Sequence, residues 1–267
     1  MRALIACEYS GTVRDAFRKL GWYAISCDLL PTDAPGEHHR GDVRELLGQP
    51  WDIIIAFPPC TYLCSSGMHW TTRGLRDPQH TEDALGFVRC LLGADCKHIA
   101  IENPVGAIST RIRKPDCIIH PWQFGHPESK TTCLWLKNLP VLVPTKVLQK
   151  PASGRWENQT PNGQNKLGPS KDRWKLRSAT YQGIADAMAA QWSEFVLSSH
   201  LIANHAPIAG NLFAWSASNT TRAAPVSAPE TPTNSDTMSS KKKEGFTEYV
   251  HIEPDPYILA LALSRTR

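Results

Sequence analysis

The sequence predicts an α/β fold with a doubly wound, mostly parallel sheet, and three observations predict it. Short apolar, often β-branched runs alternate along the chain with segments whose apolar residues recur at helical spacing. The runs read as buried strands bounded by turn residues. Acids and one thiol stand directly after these runs, at the carboxyl ends of strands, where parallel sheets carry their ligand sites. A chain of 267 residues with 41% hydrophobic and 20% charged residues suits one globular domain plus spare length, and it excludes a fibrous, collagen-like or wholly disordered protein.

Taken in order, residues 2–7 form the first strand, Glu8-Tyr9-Ser10-Gly11 a turn, and Val13, Ala16, Phe17 and Leu20 the stripe of a helix that Gly21 stops. Trp22 to Cys27 make a second strand ending at Asp28, before a loop from Pro31 to Gly36. Gly41-Asp42-Val43 is a short third strand or the end of one, Arg44 to Leu47 a helical turn, and Asp52 to Phe57 a buried strand that meets Pro58-Pro59-Cys60. A polar stretch from Thr61 to His80 follows. Thr81 then caps a helix with Ala84, Leu85, Val88, Leu91 and Leu92 on one face. His98 to Ile101 form the next strand, ending at Glu102-Asn103-Pro104. Residues 118–124 and 131–136 pair antiparallel across Gly125-His126-Pro127, and Ile184, Met188, Trp192 and Phe195 mark a final helix. The packed domain is expected to span 1–197. Residues 198–267 read as linker and largely disordered tail, because 216–243 are Ser, Thr, Ala, Pro and Asn with a lysine run and hold too few apolar residues to offset the entropy of ordering.

Charge is distributed unevenly. Between Lys146 and Arg177 eight basic residues face two acids, a local +6; subtracted from the net +4 this leaves −2 for the remainder. A Gly/Pro/Asn-rich basic segment suits phosphate contact, and equally a solvated loop. Eight cysteines with no signal peptide before them read as reduced thiols, most of them buried, in a soluble cytoplasmic protein. The longest apolar runs fall far short of the roughly 18 residues of a membrane span.

The residues at strand ends carry the chemistry. An acid after the second strand, Asp28, holds a ribose hydroxyl pair in such folds, and the turn at Glu8, Ser10 and Gly11 offers backbone amides at a helix N-terminus, so a nucleoside-containing cofactor is the expected tenant. Cys60, at the tip of a buried strand behind two rigid prolines, is placed like a nucleophile, with Glu102 ending the next strand. A thiol and an acid flanking one substrate suit attack on an electron-poor ring whose nitrogen the acid protonates.

The order Glu8-Tyr9-Ser10-Gly11, Asp28, Gly41-Asp42-Val43, Phe57-Pro58-Pro59-Cys60 and Ile101-Glu102-Asn103-Pro104 resembles the ordered motifs of the DNA (cytosine-5)-methyltransferase family, particularly its compact phage- and prophage-encoded members. Gly67, seven residues after Cys60, matches the glycine of the family's catalytic loop, and Tyr181 to Met188 resembles its closing motif. The resemblance covers residues 2–197. It implies a Rossmann-like S-adenosylmethionine-dependent fold. The cofactor would lie over Glu8, Ser10 and Gly11, with Asp28 on the ribose, Asp42 near the adenine and Pro58 near the methyl donor. It implies methyl transfer to carbon 5 of cytosine in double-stranded DNA through a covalent Cys60 adduct, Glu102 on the ring nitrogen with Asn103 beside it, and the target base flipped out of the stack. Ser65 and Gly67 would belong to the loop closing over that base, and Lys130 would stand where the family has a base- or phosphate-orienting arginine.

Thr61 replaces the glutamine that follows the family's cysteine. The region 139–178, with Arg173, Lys175, Trp156 and Trp174, is a short basic insertion in place of a full target-recognition domain. It would grip DNA with little base readout, or a homodimer or partner protein would supply recognition; either tryptophan could stack on a displaced base or simply pack. The resemblance also implies a bacterial or phage-infected host cell and a restriction–modification setting. Modification of dCMP, an amino-group methyltransferase, and a zinc- or DNA-binding module that keeps the fold are the other readings. An aromatic residue before Pro-Pro and a cysteine after it count against the amino-group enzymes. The sets Cys60, Cys64, His69 and Cys90, Cys96, His98 lack tight zinc-knuckle spacing, so no metal is expected.

Overall fold

Period-two burial in the strands sets the architecture. In the first strand, β1 (Arg2–Ala6), Leu4 and Ala6 are fully buried in one core while Ala3 and Ile5 are fully buried in another. In β4 (Ile53–Ala56), Ile54 and Ala56 join the first core and Ile53 and Ile55 the second, so the strand is apolar throughout because both its faces are covered. The computed structural model describes residues 1–205 except 164, 169, 171 and 172, with side chains left out at 174 and 203–205.

The sheet has seven strands in the order β3-β2-β1-β4-β5-β7-β6, with β2 Tyr23–Asp28, β3 His38–Arg40, β5 Ile99–Asn103, β6 Cys117–Ile119 and β7 Thr132–Lys137. The first five pair in parallel; β7 runs antiparallel to both β5 and β6, with Glu102 opposite Leu134. This order with its reversed strand is typical of the S-adenosylmethionine-dependent methyltransferase fold. Helices α1 (Thr12–Lys19) and α6 (Gln182–His205) cover one face through Val13, Phe17, Ile184, Met188 and Trp192, and α3 (Gln79–Leu92) and α4 (Ala107–Arg111) cover the other. Phe17 meets Trp22 edge-on at 5.3 Å, a geometry that adds about 0.5–1.5 kcal/mol beyond area burial.

One side chain of α1 is polar and yet wholly buried. Arg14 donates from Nη2 to the carbonyls of Pro35 (2.8 Å) and Ala34 (3.3 Å), and from Nη1 to Ser26 Oγ (3.2 Å). Its Nε pairs with Asp15 at 2.8 Å. A buried guanidinium is tolerated only when its donors are satisfied in this way.

Several expectations need correction. Leu20 is 51% exposed because the helix ends at Lys19 and Leu20 serves as its cap. The polar stretch 61–80, in which Ser65 and Gly67 were expected on a loop, contains helix α2 (Ser65–Thr72), and α3 begins at Gln79, so Thr81 lies inside its first turn and Asp77 Oδ1 accepts the Gln79 N–H instead (2.8 Å). The expected strand 118–124 stops at Ile119, since Pro121 has no N–H for a ladder and opens a 3₁₀ turn over Pro121–Gln123. The last helix runs past 197 to His205, with Phe195 38% exposed at its fringe. The tail readings at 216–243, and the rest of 206–267, fall outside the described residues. No helix among the described residues is long and apolar enough to cross a membrane.

Candidate active site

The loop after β4 is held from three sides. The Phe57 N–H donates to the Ala6 carbonyl at 2.9 Å, which extends the sheet to the edge of Pro58-Pro59. The fully enclosed amide of Asn103, on the neighbouring strand end, donates from Nδ2 to the Pro58 carbonyl at 2.7 Å. Past Cys60 the chain turns tightly, the Cys60 carbonyl accepting from Leu63 N (3.0 Å) and Cys64 N (2.8 Å). The loop is then stitched to the segment after β5: Ala107 N donates to Leu63 O (2.7 Å), and Ser65 gives both its N–H and its hydroxyl to the Val105 carbonyl (3.0 and 2.9 Å). From below, Thr81 donates its hydroxyl to the Tyr62 carbonyl at 3.2 Å.

Two glycines make this stitching feasible. A Cβ on Gly67 would run into the Thr61 carbonyl, and one on Gly106 into the Leu63 carbonyl, both backbone atoms that cannot swing aside. The match of Gly67 to a family glycine thus has a local steric cause.

Cys60 is exposed on this loop. Its thiol is hydrogen-bonded to the Cys64 thiol, and that bond, burial among surrounding protein atoms and the Glu102 carboxyl push Cys60 well above the usual thiol range, while Lys130 acts in the opposite sense. Cys64 is driven the other way. The Cys60 hydrogen bond comes first among the causes, ahead of the Ser66 hydroxyl (3.3 Å) and the Gly67 N–H (3.4 Å), with the Arg177 guanidinium adding a smaller pull. Glu102 keeps part of its surface at the protein exterior, but its carboxyl is enclosed; burial raises its pKa and Lys130 only partly offsets this. The structure therefore brings together Cys60, Glu102 and Lys130, with Asn103 and Pro58 fixing the frame. Lys130 itself reaches the Ala179 carbonyl (3.5 Å) and lies 5.8 Å from the Tyr181 ring centroid.

At the ends of β1 to β3 the arrangement differs from expectation. The N-terminal amides of α1 are not open to a ligand: Glu8, 4% exposed, accepts the N–H of Val13 (2.7 Å) and Arg14 (3.2 Å), and Ser10 Oγ takes that of Thr12 (3.3 Å). Burial pushes the Glu8 carboxyl up to about 7 in spite of these donors. Gly11 adopts φ 74° at the helix start, and Cys7, a non-glycine, has φ 59° at the strand end, backbone strain of the kind that accompanies ligand sites. Asp28 is buried, one oxygen accepting the Leu30 N–H (2.9 Å). Against the burial that would raise it, Asp42 is held low by Arg44, which also pairs with it, and its carboxylate caps the 3₁₀ turn Val43–Glu45.

Helix α5 (Arg173–Ser178) lies across this end. Lys175 pairs with Asp33 (2.8 Å), and Tyr9 Oη meets Ser178 Oγ at 2.9 Å. Lys175, expected on substrate phosphate, is thus committed to an acid of the chain, whereas Arg177, not singled out from sequence, acts on the thiol pair. Arg173 makes a backbone turn to Ser170. Trp156 is 6% exposed and stacked on Trp122 at 6.1 Å, which removes it as a platform for a displaced base; the Trp174 side chain lies outside the described set. Cys90 is exposed, unlike the burial expected of most of the cysteines. Among the described residues no three His, Cys, Asp or Glu side chains converge as a metal site.

Acids thus stand at three successive strand ends, and the helix amides are already occupied by Glu8, which disfavours a phosphate there.

No protein-family model matches the sequence, and no curated protein matches it. Solved structures do. Among them is a methyltransferase of Entamoeba histolytica, EhMeth, with a TM-score of 0.38 and 16% identity over 55% of this chain and 57% of that one. The chain thus spans little more than half the length of that protein.

Proposed function

We propose that the protein is a DNA (cytosine-5)-methyltransferase. The observation that carries the reading is the meeting of Cys60 and Glu102, an enclosed carboxyl whose pKa burial raises, at the ends of two adjacent parallel strands, with the cation of Lys130 acting on both. Cys60 adds to carbon 6 of a cytosine turned out of the stack while Glu102 gives its proton to ring nitrogen 3. Lys130 steadies the carboxylate that this leaves behind. Asn103, through Pro58, fixes the height of the loop that aims the sulfur. S-adenosylmethionine, held by Asp28, Asp42 and the turn Glu8 to Gly11, supplies the electrophilic methyl group for carbon 5. After loss of the carbon 5 proton, Cys60 departs as the leaving group. Ser65 and Gly67 close the loop over the base, and Arg173 and Arg177 face the DNA backbone from the short basic region 139–178, which reads little sequence.

The test incubates the purified protein with labelled S-adenosylmethionine and DNA, RNA or single nucleotides in parallel, and traps the covalent intermediate on DNA containing 5-fluorocytosine. Label in DNA and an adduct that vanishes in Cys60→Ala support the reading. Label in dCMP alone moves the substrate to the free nucleotide; no label and no adduct discards the reading.

A further inference from the structure

The thiol that Cys60 touches is itself built into the fold. Cys64 occupies the N-cap of α2, its backbone N–H held by the Cys60 carbonyl at 2.8 Å and its sulfur accepting from the Gly67 N–H at 3.4 Å and close to the Ser66 hydroxyl at 3.3 Å. The third hydrogen bond to that sulfur comes from the Cys60 thiol. Donors converging on one sulfur from a helix start stabilise negative charge there. The charged groups facing the pair are Glu102 from β5, Lys130 from the segment before β7 and Arg177 from α5. A nucleophilic thiol must lose its proton somewhere, and no histidine is hydrogen-bonded to Cys60 among the described residues.

We propose that Cys64 is the positioning residue that receives the Cys60 proton, so that the two thiols hold one proton and one negative charge between them and Cys60 needs no ionisation to solvent. This rests on the covalent role of Cys60 proposed above. As the Cys60 sulfur bonds to carbon 6, its proton passes to the Cys64 sulfur, and the ring electron pair displaced by the addition is taken up at nitrogen 3 with the proton from Glu102. When Cys60 leaves, the Cys64 proton returns to it.

The test reads the protein alone, without cofactor or DNA: the rate of iodoacetamide alkylation of Cys60, resolved by peptide mass spectrometry, against pH. In the wild type the rate is flat between about pH 6.5 and 8.5, because the pair keeps one charge through that range. In Cys64→Ser the N-cap is retained, serine being a preferred cap, but the hydroxyl accepts no proton, so the Cys60 rate climbs about tenfold per pH unit. Cys64→Asp restores a flat profile. Equal slopes in wild type and Cys64→Ser, or faster labelling of Cys60 in Cys64→Ser at pH 6.5, overturn the proposal. If the profiles differ as expected while no adduct forms on 5-fluorocytosine DNA, the proton transfer stands and the methyltransferase reading falls.

Discussion

Glu102 and Asn103 are neighbours in sequence that face different tasks, because successive residues of a strand point to opposite sides of the sheet. Glu102 offers an enclosed carboxyl whose pKa burial raises; Asn103 spends its amide on the Pro58 carbonyl. Glu102→Gln keeps the shape and removes the transferable proton, so the rate of adduct formation on 5-fluorocytosine DNA should drop about a hundredfold or more with little change in stability. Asn103→Ala strands a buried carbonyl and should lower unfolding free energy by about 1–3 kcal/mol in a urea titration. Glu8 gives a prediction of opposite character. Its folded pKa of about 7 lies above the ordinary 4.5, so the folded state binds the proton more tightly; the contribution is fully present below pH 4.5 and lost as pH rises through about 7. Denaturation midpoints should fall over that window in the wild type and change less in Glu8→Gln. Cys60 and Glu102 were legible in sequence because strand ends mark themselves. Cys64 was weighed only as a zinc ligand, since its partnership with Cys60 depends on a turn closed by two backbone hydrogen bonds that no spacing rule encodes.

At the scale of elements, the loop that carries Cys60 and α2 form one unit tied to the segment after β5. Helix α2 has no apolar stripe and buries no residue, which is why the sequence read it as loop; it is placed by its cap at Cys64 and the Ser65 bonds to Val105. Gly67→Ala pushes the helix off the Thr61 carbonyl. A displacement of the order of 1 Å at a catalytic loop costs about a hundredfold in rate, so adduct formation should fall by that factor while the far-ultraviolet circular dichroism stays that of the wild type. Most strands were readable because each is a short apolar run; β3 was not, since it lies at His38–Arg40, a polar run just before the expected Gly41-Asp42-Val43, and Val43 instead opens a 3₁₀ turn. The strand expected over 118–124 erred at its boundary, where Pro121 decides the matter locally.

For the molecule as a whole, the mostly parallel α/β architecture followed from periodicity, whereas the strand order and the reach of α6 to His205 did not; the helix is exposed near its end at Leu201 and Ile202, outside any apolar stripe. The basic region suited phosphate contact and a solvated loop equally in sequence, and part of its charge is spent internally, Lys175 on Asp33. On the methyltransferase reading proposed above, the cations that remain exposed meet DNA phosphates, so the logarithm of the binding constant should fall with the logarithm of salt, with a slope shallower by about one in Arg173→Ala. An unchanged slope would remove Arg173 from the footprint.

The buried Arg14 sets a rule of length. Because its guanidinium grips the Ala34 and Pro35 carbonyls from beneath, the connection from β2 to β3 is a counted span and not a free surface loop. One residue inserted or deleted between Pro31 and Gly36 would lift those carbonyls away and leave Nη2 of a buried guanidinium without its acceptors, so this surface loop, unlike most, has little freedom to drift in length.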